Sequence, residues 1–131
     1  MQLLTIQAPD DFKVVTVPNI AVIGDKLNLG PIGAALVVTT NAVTITASYH
    51  QLQATGTAAQ RSLRVINGGV EGDILVLRKD STSPGDVIID DNAVGGNIQS
   101  AGDFTLTNEK DMIAFIFDGT SWCELSRSNN A

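Results

Sequence analysis

The stretch MIAFIFDGTSWCEL, residues 112–125, places two apolar runs on either side of a tight turn. Asp118-Gly119 at its centre favours a two-residue β-hairpin connection, because glycine readily adopts the positive φ that such a turn requires. The paired strands would bring Phe117 and Trp122, which flank the turn, into cross-strand or diagonal contact. This stretch therefore predicts a β-hairpin that two aromatic rings hold together near the end of the chain.

The rest of the chain also has the pattern of an all-β protein. No window of about a dozen residues repeats apolar positions at helical spacing without an interrupting glycine or proline. Turn-forming residues instead divide the second half of the chain into runs of strand length. These runs are residues 63–66, 73–77, 86–89, 97–99, 104–107, 112–117 and 122–125. Upstream, residues 43–50 alternate apolar and polar side chains and predict one half-buried strand, whereas residues 51–61 fit either a short helix or a surface loop.

Glycine–aspartate pairs precede several apolar runs. They are Gly24-Asp25, Gly72-Asp73, Gly85-Asp86 and Gly102-Asp103. Their unequal separations argue against a solenoid repeat, and we interpret each pair as a local corner in which the carboxylate accepts hydrogen bonds from turn amides. The spacing of turns predicts a compact β-sandwich, a barrel-like domain or a small β-prism.

Two of the runs, Ile74 to Leu77 and Met112 to Phe117, are apolar on both pleat faces. A sheet with one solvated face cannot accommodate such a run, so both faces must be covered. The second layer can come from another sheet of the same domain or from neighbouring copies around a symmetry axis, and the low charge content favours neighbouring copies. The predicted core or subunit-interface residues are Ile74, Val76, Ile113, Phe115, Phe117 and Trp122.

Residues 1–33 differ from the rest, because Pro9, Pro18 and Pro31 lie at the edges of short apolar pieces. Proline cannot donate to a sheet ladder, so these pieces are expected to form either an extended N-terminal arm or the outer strands of the same domain. Residues 34–131 are then the β-domain of a single-domain protein. Phe12, Val14, Val15 and Ile20 are the apolar side chains that an arm would use to contact another protein.

Composition excludes several partners. The 131 residues include 8 Lys+Arg and 14 Asp+Glu, for a formal net charge of -6, with 44% apolar and 17% charged residues. Phosphate neutralisation by basic residues dominates nucleic-acid affinity, so no nucleic-acid partner is expected. No run of about 18 apolar residues occurs, and the first residues lack the basic and apolar regions of a signal peptide. We therefore expect neither membrane insertion nor export from the cytoplasm in which the chain is made.

The sequence offers little catalytic chemistry. A single cysteine, Cys123, and a single histidine, His50, exclude a Cys-based zinc cluster and a His-rich metal site. His50 is expected to face solvent or an interface, and Cys123 to be a small buried apolar side chain and not a reactive thiolate. Asp86, Asp90 and Asp91 could offer oxygen ligands to calcium, but their spacing lacks the EF-hand pattern, so they are weak candidates and a solvated acidic turn is preferred. We predict no enzyme activity, no metal and no cofactor.

Three motifs in the second half of the chain carry a resemblance. They are residues 66–77, INGGVEGDILVL; residues 96–106, GNIQSAGDFTL; and residues 117–125, FDGTSWCEL. Together they resemble a β-rich module of tailed-bacteriophage virion proteins, a group that includes head decoration proteins and tail-fibre domains. In that group an Asp-Gly-Thr-x-Trp hairpin closes the final strands, as Asp118 to Trp122 does here. The resemblance covers roughly residues 63–127.

This resemblance implies a virion setting. The leading hypothesis is a capsid decoration or cement protein, a homotrimer that binds the major capsid protein on the outside of the assembled head and stabilises it. The alternative is a receptor- or glycan-binding module of a tail fibre or tail tip, which would need a shallow site with exposed aromatic or Asn/Asp side chains. A small hydrolase would need convergent His, carboxylate and Ser or Cys groups, and the sequence shows no such motif.

Overall fold

The computed structural model describes residues 21–23, 26–29, 33–56 and 60–130. Within these ranges the chain consists of strands, turns and bends, with no helix, so the all-β prediction is confirmed for them. The chain divides into two compact units, Met1–Gly30 and Pro31–Ala131. The predicted contact residues Phe12, Val14, Val15 and Ile20 lie outside the described residues.

The described strands are β1 (Ala21–Ile23), β2 (Lys26–Asn28), β3 (Leu36–Val38), β4 (Ala42–Thr44), β5 (Tyr49–Ala54), β6 (Gln60–Leu63), β7 (Val65–Asn67), β8 (Ile74–Lys79), β9 (Asp86–Ile89), β10 (Ile98–Gln99), β11 (Phe104–Leu106), β12 (Met112–Phe117) and β13 (Trp122–Ser128). In the first unit, β1 and β2 form an antiparallel pair in which Ala21 lies opposite Asn28. All the other strands belong to the second unit.

The second unit winds as a coil whose strands stack in parallel. From β5 in a six-stranded sheet the chain passes to β6 in a three-stranded sheet, then to β7 beside β4, and returns to the first two sheets at β8 and β9. Successive passes pair in parallel: β3 with β5, β5 with β8, β4 with β7, and β6 with β9. This is a β-solenoid-like stack, in which each coil buries its inner side chains against the next.

Antiparallel strands complete the stack at its C-terminal end. β11 pairs with β9, β12 pairs with β8, and β13 pairs with β12, all antiparallel, while the short β10 lies parallel to β13 at the edge of the six-stranded sheet. A solenoid needs such atypical terminal strands, because an exposed parallel edge would otherwise offer unpaired backbone groups to other chains. The order of the six-stranded sheet is β10-β13-β12-β8-β5-β3.

All three sheets of the second unit contribute to one hydrophobic core. Leu52 and Leu77 come from the six-stranded sheet, Leu63 from the three-stranded sheet and Ile66 from the β4–β7 pair, and none of the four is more than 1% exposed. Full burial of such a side chain stabilises the folded state by about 1.5–3 kcal/mol relative to exposure. The core therefore lies inside the coil, and the outward-facing side chains of each sheet remain for other contacts.

Several expectations from the sequence are wrong. The run 63–66 is not one strand, because β6 ends at Leu63 and β7 begins at Val65 in another sheet. Residues 51–54 belong to β5 and residues 60–61 to β6, not to a helix or a surface loop. Residues 43–50 are not one strand, because β4 ends at Thr44, residues 46–48 bend, and β5 begins at Tyr49 in another sheet. The stacking is solenoid-like although the glycine–aspartate spacing is irregular: Leu36 stacks on Leu52, and Leu52 stacks on Lys79, so successive coils contain different numbers of residues. Corners of unequal length absorb the difference while the strands keep their register.

Candidate interaction surfaces

The hairpin predicted at Asp118-Gly119 is confirmed. The Asp118 amide donates to the carbonyl of Ser121 at 3.0 Å, and Gly119 has a φ of +98°. The Asp118 carboxylate accepts the amides of Thr120 at 2.8 Å and Ser121 at 2.7 Å. The hydrogen bond from Ser121, followed by that from Thr120, lowers the pKa of Asp118, so the turn is built around an ionised carboxylate.

The two aromatic rings beside this turn contact each other, as predicted. The ring centroids of Phe117 and Trp122 are 4.8 Å apart, with planes inclined at 40°. Trp122 is fully buried, and its indole N–H donates to the carbonyl of Ile66 at 3.1 Å. Gly69 lies against both rings: a Cβ placed there would be 2.6 Å from Cζ2 of Trp122. The hairpin is thereby joined to the region around β7, which is distant in sequence.

The six residues predicted for the core or a subunit interface divide between the two sides of the six-stranded sheet. Ile113, Phe115 and Trp122 are buried in the core, and Phe117 packs against it. Ile74 is 39% exposed, and Val76, two residues later on β8, faces the same outward side. Of the six, only Ile74 and Val76 are therefore placed to contact another molecule.

The outward side of this sheet, here called the outer face, is largely apolar. Its members are Val37, Tyr49, Gln51, Gln53, Ile74, Val76, Arg78, Gln99, Met112, Ala114, Ile116, Cys123, Ser126 and Ser128. Two rows run across the strands, one from Tyr49 through Val76 to Ala114 and one from Ile74 through Ile116 to Cys123. Four adjacent strands thus present a contiguous apolar surface.

Arg78 is the one Lys, Arg, Asp or Glu among these outer-face residues, and it has partners within the chain. With the side-chain amide of Gln51 turned to match its neighbours, the Gln51 oxygen accepts from Arg78 Nη2 at 2.7 Å and its nitrogen donates to Asp80 at 3.2 Å. The guanidinium is therefore already engaged in a chain that leads to a carboxylate. The outer face therefore carries a single positive charge, which is hydrogen-bonded to a neutral amide.

Cys123 lies on the outer face, between Ile116 of β12 and Gln99 of β10. Its Sγ is 3.6 Å from an Asp118 carboxylate oxygen, and the side chain is partly exposed. Burial, followed by the negative charge and hydrogen bond of Asp118, raises the pKa of this thiol. Cys123 is therefore not the buried side chain that the sequence predicted, although a protonated thiol is a poor nucleophile, as expected.

The acidic residues considered as calcium ligands each have a separate structural role. Asp86 pairs with Lys79 at 2.8 Å and Asp90 pairs with Arg64 at 2.8 Å. Asp91 accepts the amide of Ser100 at 2.7 Å, and this hydrogen bond is the main cause of its lowered pKa. Among the described residues, no group of three or more His, Cys, Asp or Glu side chains is arranged to hold a metal ion.

His50 is buried, at 6% exposure, so the expectation of a solvent or interface histidine is wrong. Its Nε2 accepts the amides of Thr46 and Ala47, both at 3.1 Å, and so satisfies the backbone where the chain bends between β4 and β5. Burial lowers the pKa of His50, and an Nε2 that accepts two amide hydrogens must be unprotonated. The bend also reverses the side to which His50 points, which simple alternation from Val43 cannot predict.

Asp111 is a structural carboxylate that the sequence analysis did not single out. It is fully buried; one oxygen accepts the amides of Thr107 and Asn108, each at 2.9 Å, and the other accepts the amide of Asn130 at 2.7 Å. Burial alone would raise the pKa of Asp111, but these hydrogen bonds outweigh it and lower the pKa. Asn-Glu-Lys-Asp at 108–111 is a recognisable turn sequence, and this is the signal that marks the site.

Glu124 and Arg127 form a second group that the sequence analysis missed. Arg127 Nε lies 2.6 Å from Glu124 Oε1, and the guanidinium carbon is 4.9 Å from the centroid of the Phe104 ring. Residues three apart in a regular strand face opposite sides, so this pair is unexpected. A β-bulge at Leu125 adds one residue to β13 and turns both side chains to the same side, where hydrogen bonding to Arg127 chiefly lowers the pKa of Glu124.

A polar cleft of about 280 Å³ lies between the turn after β8 and the turn before β12. Its charged lining residues are Lys79, Asp80, Glu109 and Lys110, and serine, threonine and asparagine complete it. Lys79 donates to Asp86 and to the Thr107 carbonyl, so its charge is engaged within the fold. The cleft contains no aromatic ring on which a sugar could stack.

No family model, curated protein or solved structure matches this chain. In the part of the chain that the structure describes, no helix has the length and apolar character needed to cross a bilayer.

Proposed function

We propose that this protein is a non-enzymatic structural component of a tailed-bacteriophage virion, a homotrimer that binds the outside of the assembled head as a decoration or cement protein. The virion setting rests on the resemblance of residues 63–127, which includes the Asp118 to Trp122 hairpin. The observation that carries the structural role is the outer face, a broad apolar surface with a single charged side chain that is already partnered.

The buried polar groups favour a structural role for this protein. The buried imidazole of His50 accepts turn amides, and the buried carboxylate of Asp111 accepts three amides from two different segments. Groups that are fully occupied as hydrogen-bond acceptors hold corners and ends of the coil in place. A rigid coil of this kind suits a protein whose task is to present fixed surfaces to its neighbours.

The proposed mechanism is mass action. A protein that binds the assembled shell and not its dissociated subunits stabilises the shell by RT ln(1 + [L]/Kd), which is about 2.7 kcal/mol at a concentration one hundred times Kd. Many copies that each add such an increment would raise the temperature at which the head opens. Phe12, Val14, Val15 and Ile20 are the proposed contacts to the major capsid protein.

The test is deletion of the gene from the phage that encodes it, followed by heating of purified virions. The proposal predicts that the deleted virions release DNA at a lower temperature and that added purified protein restores the original value. A variant lacking residues 1–20 should bind heads weakly, and unchanged binding would remove the proposed contact residues. Deleted virions with normal heat stability and defective adsorption to cells would instead support the tail-fibre alternative.

A further inference from the structure

We infer that a second copy of this chain covers the outer face of the six-stranded sheet, with the rows through Val76 and Ile116 at the centre of the contact. The inference rests on the self-association in the proposed function and adds the surface responsible for it. It also separates the predicted interface residues: Ile74 and Val76 contact the neighbour, while Ile113, Phe115 and Trp122 belong to the subunit's own core.

The outward side of this sheet lacks the polar side chains of a solvated face. β8 and β12 are antiparallel neighbours, and their outward residues are Ile74, Val76, Met112, Ala114 and Ile116, whereas a face of an antiparallel sheet that meets water normally carries polar residues. The inner face of this sheet is covered by the core of the coil. On the outward side Val37, Ile74 and Met112 are 37–44% exposed, so the single chain leaves that face uncovered at these positions.

The distribution of charge favours a second copy as the partner. The chain carries a formal net charge of -6, so two copies repel each other wherever their acidic surfaces meet. The outer face carries one charged side chain, Arg78, whose guanidinium is linked through Gln51 to Asp80. A surface with one basic and no acidic side chain offers little to a nucleic acid, an anionic membrane or a charged peptide, but it lets like-charged copies approach closely.

The face is large enough for the apolar centre of an interface. The four central strands β13, β12, β8 and β5 have six or seven residues each. At about 4.8 Å between strands and about 3.3 Å per residue, they span roughly 400 Å² in projection, and the short flanking strands β3 and β10 add about 80 Å². This is somewhat more than half of the ~800 Å² that each partner buries in a standard interface.

The experiment uses the full chain and the substitution Ile74→Glu, with Val94→Glu as the matched control. Both variants replace a β-branched apolar side chain by glutamate, but Val94 is fully exposed in the turn between β9 and β10. Sedimentation equilibrium should give the wild type and Val94→Glu a mass that is a multiple of the 13.7 kDa chain. Ile74→Glu should associate about 100-fold more weakly, because a carboxylate would be desolvated at the contact.

Cys123 provides a second readout that needs no substitution. Its alkylation by iodoacetamide should slow as wild-type concentration rises through the association range, and Ile74→Glu at the same pH should react at the rate of dissociated protein. Circular dichroism establishes that each variant is folded; if Ile74→Glu is not, the wild-type alkylation alone decides.

The outcomes separate the two proposals. A monomeric wild type at about 100 µM, with Cys123 alkylated at a concentration-independent rate, would overturn this inference and the self-association in the proposed function together. An oligomer that Ile74→Glu leaves intact, with Cys123 equally reactive at all concentrations, would place the contact elsewhere and overturn this inference alone.

Discussion

Replacing Asp111 by asparagine should destabilise the fold by about 3 kcal/mol at pH 7, which is a large share of the stability of a small domain. The carboxylate accepts three amides, from Thr107, Asn108 and Asn130, with two different oxygens. An asparagine side chain has one acceptor oxygen, so its NH₂ group would face an amide hydrogen on one side or the other. The variant loses at least one charge-assisted hydrogen bond and the charge that strengthens the rest.

The measurement is urea and thermal unfolding at one fixed protein concentration, since self-association shifts apparent stability. At about 3–4 °C per kcal/mol for a chain of this size, Asp111→Asn should lower Tm by roughly 10 °C at pH 7. Glu109→Gln is the matched control, because it removes a carboxylate from the same turn while Glu109 is exposed. It should change Tm by no more than about 2 °C.

The pH dependence distinguishes this explanation from a packing defect. The folded-state pKa of Asp111 is lowered, so its stabilisation is fully present above the unfolded-state value of about 3.9 and is lost as the pH falls through the folded-state pKa. The difference between wild type and Asp111→Asn should therefore be constant from pH 7 to 5 and shrink below about pH 4. A difference that persists unchanged at pH 2, or an equal loss in Glu109→Gln, would refute the reasoning.

Three further predictions concern other positions. Gly69→Ala should lower the free energy of unfolding by about 2 kcal/mol and alter the near-UV dichroism of Trp122, because the added Cβ would lie 2.6 Å from the indole. In the control Gly33→Ala the added Cβ has nothing within 4 Å, so its stability should be unchanged, and equal effects of the two substitutions would contradict this explanation. Stability should fall between pH 7 and 5 as His50 is protonated, since its folded-state pKa is lowered, and a His50→Gln variant with the same slope would disprove this. Thr40 has a φ of 46°, which is unfavourable for a β-branched residue, so Thr40→Gly should raise the free energy of unfolding by up to ~1 kcal/mol and the urea midpoint with it. A lower midpoint would show that Thr40 is not strained.

Local sequence signals predicted the C-terminal hairpin and most strands. Asp118-Gly119 between apolar runs marks the turn, and Phe117 and Trp122 are in contact as expected. The register differs from that of a two-residue turn at Asp118-Gly119, because Gly119 and Thr120 form the centre of the turn and Phe117 lies directly opposite Trp122. The run 86–89 coincides with β9 and the run 112–117 coincides with β12. These features depend on contacts between neighbours in sequence or on the residues at the ends of a strand, and both can be identified from the amino-acid sequence.

Features that depend on corners and bulges were not predictable in the same way. The bend at residues 46–48 moves the chain to another sheet and places His50 in the interior. Strict alternation from the buried Val43 would have placed His50 on the solvent side. The bulge at Leu125 similarly brings Glu124 and Arg127 to one side. The solenoid-like stack was missed because its coils differ in length, so no fixed period appears in the sequence.

The existence of the outer face could be predicted from the sequence, but its partner could not. Apolar residues on both pleat faces of β8 and β12 correctly indicated that the sheet has two apolar sides. Within a strand, neighbouring residues lie on opposite sides of the sheet, so Phe115 is in the core and Ile116 is on the outer face. What covers the outward side is a property of other molecules, so it enters here as a proposal.

The copy number of this protein in purified virions distinguishes the proposed head decoration component from a tail component. Quantitative mass spectrometry against the major capsid protein gives the ratio. A decoration protein should be present in hundreds of copies, close to one for each capsid subunit. A handful of copies for each virion would contradict the proposal and would indicate a fibre or tail component.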